Sequence, residues 1–138
     1  MRLHRWLDRL ADRRAARAAR RAAPGTGFDL IPEPRLPGHF ARGRRLAAGS
    51  LHLAGRTVET RAPFADPPPS AAYAEALHGW GWLDDLAACG EPAAREVARA
   101  WLADWLARFG DGQGPGWRAD LAGRRLLRWV EHALFLTA

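Results

Sequence analysis

The stretch GPGWRADLAGRRLLRWVEHALFLTA, residues 114–138, carries the most information about the fold class. Its glycine-rich start is typical of a turn, and Asp120 is a suitable N-cap for a helix that follows. Arg124, Arg128 and Glu131 then recur at i, i+4 and i+7, which places them on one side of that helix. The sequence therefore predicts an amphipathic helix from about residue 120 to the end.

Two more helices are predicted before this one, over residues 71–88 and 92–109. Tyr73, Leu77 and Trp80 begin an apolar face at helical spacing in the first, and Trp101 and Trp105 lie on a continuous stripe in the second. Only the short breaks CGEP and GDGQGPG separate the three helices. Short connections favour antiparallel neighbours, so residues 70–138 are interpreted as one and a half αα-hairpins.

Residues 24–69 have a different character. Four prolines between residues 24 and 37 disfavour regular helix, so residues 24–45 are expected to be extended. The segment SLHLAGRTVET then predicts a small β-hairpin with its turn at Ala54 and Gly55. The stiff linker FADPPPS closes this part of the chain.

Residues 1–23 predict a basic amphipathic helix. Leu3, Trp6, Leu7 and Leu10 recur at i, i+3, i+4 and i+7, and alanines continue the helix until Pro24. We expect a solvated helix that docks on the body by its Leu/Trp face. Binding of this arm to nucleic acid or to an anionic membrane is the alternative.

The net charge of +6 is concentrated in the same arm. Residues 1–23 hold eight arginines and two aspartates, whereas the remaining residues carry 13 arginines and 13 acidic side chains. The body is therefore neutral overall, and a basic face on a folded domain is what specific nucleic-acid binding normally needs. No specific nucleic-acid partner is expected.

Several other classes are excluded or disfavoured by the sequence. A single cysteine, Cys89, rules out an internal disulfide and a multi-cysteine metal site. No transmembrane segment and no secretory signal are recognisable, so the expected localisation is cytoplasmic, with export of a complete protein as the alternative. GDGQGPG follows a helix and lacks the lysine of a phosphate-binding loop, so no cofactor is expected. No metal is expected either.

The candidate binding residues are Arg125, Trp129 and His132 on the last helix, with Trp117 in the preceding loop. A guanidinium group can pair with a carboxylate or a sulfate, and an indole can stack on a sugar ring. This combination could bind an acidic sugar. No residue in the chain is assigned a catalytic role.

Structural roles are the alternative for the same helix. Arg128 and Glu131 could simply pair with each other, and Trp129 could belong to the core. Asp84 and Asp85 are adjacent, so on a helix they point about 100° apart and cannot face each other as an acid and base pair. Both are expected to be solvated or to bond a helix end.

The segments HGWGWLDDLAA, ARAWLADWLARFG and GPGWRADLAGRRLLRWVEHALFL, together with PGHFARGRRLAAGSLHLAGRTVE, resemble the N-terminal part of bacterial heparinase II/III-like polysaccharide lyases. The resemblance covers about residue 36 to the end. It implies an incomplete α/α toroid, followed in complete members by a β-sandwich. It also implies β-elimination of uronic-acid polysaccharides by catalytic residues that come later in the family's sequences.

On this resemblance the chain is expected to be an N-terminal fragment of such a lyase, inactive alone, whose complete form has an acidic polysaccharide as partner. The interrupted toroid would expose an apolar face of Leu127, Val130, Leu134 and Phe135 and promote self-association. The alternative is a small helical interaction module with a binding basic arm. A complete small enzyme is rejected, because no nucleophile and base pair is readable.

Overall fold

The computed structural model describes the backbone of residues 2–25, 27, 29–30 and 32–138, and the side chains of residues 6–11, 13–25, 27, 29–30 and 32–138. The helices are α1 (Arg2–Arg21), α2 (Phe40–Ala47), α3 (Ala71–His78), α4 (Trp82–Cys89), α5 (Pro92–Phe109), α6 (Ala119–Glu131) and α7 (Ala133–Thr137), with a 3₁₀ turn at Pro115–Trp117. The strands are β1 (Ser50–Leu53) and β2 (Arg56–Glu59).

The predicted fold class is confirmed at its coarser level: a mainly helical protein with a small antiparallel two-stranded sheet. The hairpin turn lies at the expected residues, because Ala54 and Gly55 both take positive φ angles of 48° and 74°. Such angles at both central residues match the twist of a two-residue hairpin. The placement of these helices in an α/α toroid is not shown and stays a prediction.

Helix α2 lies inside the segment that was expected to be extended. The four prolines precede it, so they do not prevent a helix from residue 40 onward. The backbone of α2 packs directly on α4: a side chain at Gly38 or Gly43 would collide with the backbone of Asp84 and Asp85. The two glycines therefore let α2 approach α4 closely enough to build one wall of a cleft.

The predicted helix over residues 71–88 is two helices. Ser70 caps α3 by accepting a hydrogen bond from the Tyr73 backbone N–H at 3.1 Å. The chain then breaks at Gly79–Gly81, where Trp80 adopts a left-handed backbone conformation with φ of 62°. This conformation is uncommon for a bulky residue, and it places the Trp80 side chain fully inside the core.

The last predicted helix is also broken. His132, with φ of −110° and ψ of 22°, separates α6 from the short α7. Between the preceding helices, Gly90 ends α4 in the left-handed conformation at φ of 66°, and Pro92 occupies the first turn of α5. The break between α4 and α5 agrees with the preference for glycine after a helix and proline at its start.

Aromatic side chains fill the core between these helices. The ring centroids of Trp80 and Trp82 lie 4.5 Å apart, and Trp129 makes edge-to-face contacts with Trp80 at 5.3 Å and Trp105 at 5.4 Å. These geometries are the favourable ones for aromatic pairs. The core thus joins α4, α5 and α6 through their tryptophans.

Helix α1 docks by a different face from the predicted one. Ala16 is buried, and a side chain at Gly112 would approach its Cβ to 2.6 Å. Arg20 donates to the Gly110 carbonyl at 3.1 Å, in the same loop. Of the predicted Leu/Trp face, Trp6 and Leu7 are 57% and 48% exposed, Leu10 is half-buried, and the Leu3 side chain lies outside the described residues.

Candidate functional site

A cleft of about 800 Å³ lies between α2 and the hairpin on one side and α3, α4 and α6 on the other. Gly79 and Gly81, from the break around Trp80, contribute backbone without side chains to its lining. Four arginines line it as well: Arg42, Arg45, Arg124 and Arg128. The volume falls within the range of small-molecule and peptide pockets, which is roughly 300–1,000 Å³.

The α2 wall is held to α4 by Asp85. The His39 backbone N–H, just before α2, donates to Asp85 Oδ1 at 2.7 Å, and Arg42 Nε lies 3.6 Å from Asp85 Oδ2. Burial raises the pKa of the Asp85 carboxyl, although the Arg42 charge opposes this shift. Asp85 therefore acts as an N-terminal anchor for α2.

A buried ion-pair network forms the wall between α4 and α6. Arg128 Nε lies 3.0 Å from Asp84 Oδ2, and Arg128 Nη1 donates to Glu131 Oε2 at 2.8 Å. His132 Nε2 lies 2.7 Å from Asp84 Oδ1. Asp84, Glu131 and His132 are 8%, 8% and 6% exposed, so nearly all of this network is removed from water.

Asp84, Glu131 and His132 could each offer a ligand atom to a metal ion, since these atoms lie within 4.8 Å of one another. Arg128 already contacts both carboxylates with its guanidinium group. A cation entering the cluster would have to displace this buried positive charge. The arrangement therefore fits an internal ion-pair network better than a metal centre.

A second arginine on α6 is stabilised differently. Arg125 is 4% exposed, and its guanidinium carbon lies 4.1 Å, 5.1 Å and 5.4 Å from the ring centroids of Trp105, Trp117 and Trp129. It also donates to the Gly116 carbonyl. Burial lowers the pKa of Arg125 to about 10, which still leaves it charged at neutral pH. We call this arrangement the indole cage.

His78 lies beside the indole cage. Trp105 Nε1 donates to His78 Nδ1 at 3.1 Å, which fixes this nitrogen as an acceptor. Burial, with a contribution from the Arg125 charge, lowers the pKa of His78 to about 4. His78 is therefore neutral at physiological pH and serves as a hydrogen-bond acceptor in the core.

The structure divides the four predicted binding residues between these two arrangements. Arg125, Trp117 and Trp129 meet in the indole cage, where Trp117 Nε1 also donates to the Phe109 carbonyl at 2.6 Å. His132 belongs to the ion-pair network instead. Each thus has a partner inside the protein, and their binding of a polysaccharide stays an untested prediction.

The structure agrees with some of the other predictions for α4 and α6 and differs from one of them. The pairing of Arg128 with Glu131, expected from their spacing, is present, and Trp129 packs against the core. Asp85 does bond a helix end, whereas Asp84 is buried in an ion-pair network rather than solvated or bonded to a helix end. Its partners lie more than 40 residues away in sequence, so local spacing gave no signal for this burial.

None of the arginines that line the cleft was predicted as a binding residue. Arg42 and Arg45 lie in the segment that was expected to be extended, and Arg124 was noted only for its helix face. The segment PGHFARGRR contained one indication of the α2 wall: Gly38 and Gly43 lie next to several arginines. Glycines in such a segment can indicate a helix that packs closely on another backbone.

Comparison with known proteins gives one informative similarity. The chain is 33% identical over 103 residues to FtsZ-localized protein C of Caulobacter vibrioides (strain NA1000 / CB15N), in a match that covers 72% of this chain. The match covers 18% of that relative's length. No family model matches the chain, and no solved structure matches it.

These comparisons overturn the predicted family and function. The chain matches a protein named for its localisation with FtsZ, and nothing in the comparisons indicates a heparinase II/III-like protein or a polysaccharide lyase. The interpretation as an N-terminal lyase fragment is therefore wrong. GPGW contains the 3₁₀ turn before α6 and GRRL lies within α6, so these phrases record one turn and one helix face, which unrelated helical proteins can share.

Proposed function

We propose that this chain is a protein-interaction module that helps to place the protein carrying it at FtsZ. The observation that carries the proposal is the 33% identity, over 72% of the chain, to FtsZ-localized protein C. The match covers 18% of that relative. We therefore propose that the module contributes one of several interactions that localise a larger protein.

The internal chemistry supports a binding role over a catalytic one. The buried polar groups described above bond to each other or to backbone: Arg125 to Gly116, His78 to Trp105, and His132 to Asp84. These hydrogen bonds give the three side chains a structural role, which favours recognition at the surface of the module. The surfaces left for recognition are the cleft and the exposed faces of the helices.

Binding of the purified chain to immobilised C. vibrioides FtsZ tests the proposal. We expect saturable binding that survives salt concentrations of about 0.3 M, where long-range attraction of a basic chain is screened. An unrelated helical protein of equal net charge is the matched control. No binding above this control would overturn the proposal.

The exposed face of α1 favours a second candidate, binding to an anionic membrane surface. None of the described helices is long and apolar enough to cross a membrane. However, Arg14 and Arg17 follow Leu10 at i+4 and i+7, which aligns them with the exposed Trp6 and Leu7. The exposed Trp6 and Leu7 next to these arginines could combine apolar contact with attraction to anionic lipid at a membrane surface.

Flotation with vesicles tests this second candidate. We expect binding to vesicles rich in anionic lipid and little binding to neutral ones. Replacing Trp6 and Leu7 with glutamine should reduce it, whereas the control pair Ala15→Gln and Ala19→Gln should not. Equal binding to neutral vesicles, or preference for duplex DNA of matched charge over the vesicles, would remove the membrane assignment.

We also propose that the chain self-associates and that it is located in the cytoplasm. Of the face expected to be uncovered, Leu127 and Leu134 are 49% and 53% exposed, whereas Val130 and Phe135 are half-buried. We propose that this partly exposed face supports weak dimers, which sedimentation over a range of concentrations would detect. A single monomeric species at millimolar concentration would contradict it.

A further inference from the structure

The cleft between α2 and α6 has a surplus of positive charge. Its carboxylates are bound: Asp84 to Arg128, Asp85 to the His39 N–H, and Glu75 to Arg118 at 2.7 Å.

The arginines that line the cleft form fewer ion pairs than its carboxylates do. Among the described residues, no carboxylate forms an ion pair with Arg45 or Arg124, which lie on the α2 and α6 walls. Arg42 is held only loosely at 3.6 Å from Asp85, with its side chain 55% exposed. The cleft thus presents guanidinium groups on two walls to a ligand, which favours a ligand with more than one acidic group.

Apolar groups line the same cleft as these arginines. Leu36 and Leu127 line the cleft and are 58% and 49% exposed, and the buried Trp82 also lines it. An exposed apolar surface framed by charged groups is typical of a binding site. A matching ligand therefore carries an apolar group between its acidic groups.

We propose that this cleft binds a short acidic peptide segment that inserts an apolar side chain between Arg45 and Arg124. A peptide fits because its side chains can present carboxylates to both walls and an apolar group between them. A cleft of about 800 Å³ has room for such a segment. The inference goes beyond the proposed function, since the cleft would bind this peptide whichever protein carries it.

Gly81 allows the cleft to be filled without disturbing the fold. Its φ of −60° and ψ of −26° suit any L-residue, and a Cβ at this position would meet nothing within 4 Å. Gly81→Leu should therefore place a side chain into the cleft. Gly123 in α6 also has open space around it and does not line the cleft, so Gly123→Leu is the matched control.

The charge contribution has its own matched pair. Arg45→Glu combined with Arg124→Glu reverses two charges of the cleft. Arg56→Glu combined with Arg17→Glu makes the same change in net charge at exposed positions that do not line the cleft. This control separates recognition in the cleft from general attraction of an acidic peptide to a basic chain.

The experiment is an NMR titration of the full chain with a pool of peptides about eight residues long, in which aspartate or glutamate alternates with leucine or phenylalanine. A second pool carries asparagine and glutamine instead. We expect saturable shifts at the Gly79 and Gly81 amides with the acidic pool only. Gly81→Leu and the Arg45/Arg124 double variant should each weaken binding about tenfold or more, and both controls less than about twofold.

Three outcomes would overturn the inference. The first is equal shifts with the neutral pool or none with the acidic pool. The second is unchanged binding by Gly81→Leu. The third is displacement of the peptides by inorganic phosphate at equal concentration, which would indicate a simple anion site. Because FtsZ is absent from this titration, its result does not depend on the proposed function.

Discussion

Helix α6 carries two arginines whose charges are stabilised in opposite ways: Arg125 is buried at 4% exposed, and the side chain of Arg128 is 16% exposed at the edge of the cleft. Arg128 lies between the carboxylates of Asp84 and Glu131, whereas Arg125 contacts three indole rings and one backbone carbonyl. Among the described residues, Arg125 forms no ion pair. A cation that is largely removed from water needs a stabilising partner. Carboxylates supply it for Arg128, and aromatic ring faces supply it for Arg125.

The two arginines also differ in what their loss leaves behind. Removing Arg128 leaves two carboxylates buried beside each other, whereas removing Arg125 leaves tryptophan rings and the Gly116 carbonyl. An uncompensated buried charge costs far more free energy than an uncovered ring. The same substitution at the two sites therefore measures the difference directly.

The largest effect is expected for Arg128→Met. It should lower the free energy of unfolding by about 3–5 kcal/mol, because Asp84 and Glu131 lose their cation. Arg125→Met should cost about 1 kcal/mol, because the apolar side chain suits the indoles and only one hydrogen bond is lost. Urea denaturation measures both. Equal losses for the two variants would contradict this difference and show that the indoles stabilise a cation as strongly as carboxylates do.

Gly116→Ala tests how tightly the indole cage is packed. The added Cβ would lie 2.7 Å from His78 Nδ1 and 3.1 Å from the Trp105 ring. We expect a loss of about 1–3 kcal/mol from overpacking. Gly123→Ala, in open space on the same helix as Arg125, should instead stabilise by about 0.5–1 kcal/mol. Unchanged stability of Gly116→Ala would mean that the cage is loosely packed.

The pH dependence of the free energy of unfolding tests the burial of His78 beside the indole cage. The pKa of His78 is lowered to about 4 by burial, so the unfolded chain binds a proton at higher pH than the native protein does. Stability is therefore full above about pH 6.5 and falls as the pH drops toward 4, by at most about 1.4 kcal/mol per pH unit. Urea midpoints at pH 7 and 5 measure this fall. His78→Gln should reduce it, and an unchanged fall would assign it to other groups.

The smallest effect is expected at the surface. Arg118 pairs with Asp120 at 2.6 Å and Glu75 at 2.7 Å, and its hydrogen bonds lower the pKa of Asp120 to about 2. These groups are in water, so Arg118→Gln should change the urea midpoint only slightly at low salt and not at about 0.5 M salt. A loss as large as that of Arg128→Met would refute the role assigned to burial.

Local signals in the sequence were sufficient for part of this fold. Ala54 and Gly55 mark the hairpin turn, Ser70 begins α3 and Pro92 begins α5, because turns and caps depend on neighbours within a few residues. Long-range contacts were not readable in the same way. Gly43 packs on Asp85, and the left-handed Trp80 packs against Phe64 from a loop, Trp82 from α4 and Trp129 from α6.

The functional prediction failed for a different reason. The lyase assignment rested on a resemblance of short phrases, and the similarity to FtsZ-localized protein C overturns it. Arginine and tryptophan at helical spacing were interpreted as a sugar-binding face; their described contacts are internal, and sugar binding by them stays an untested prediction. Whether such a face points outward depends on which neighbouring elements cover it. The arginines of the cleft, in contrast, lie on elements about 80 residues apart and meet only in the folded chain.

The most direct test of the proposed function is the position of a fluorescent fusion of this chain in C. vibrioides cells that express labelled FtsZ. We expect the fusion to coincide with FtsZ and to become diffuse when FtsZ is depleted. A fusion that is diffuse while FtsZ is assembled, or that keeps its position after depletion, would contradict it.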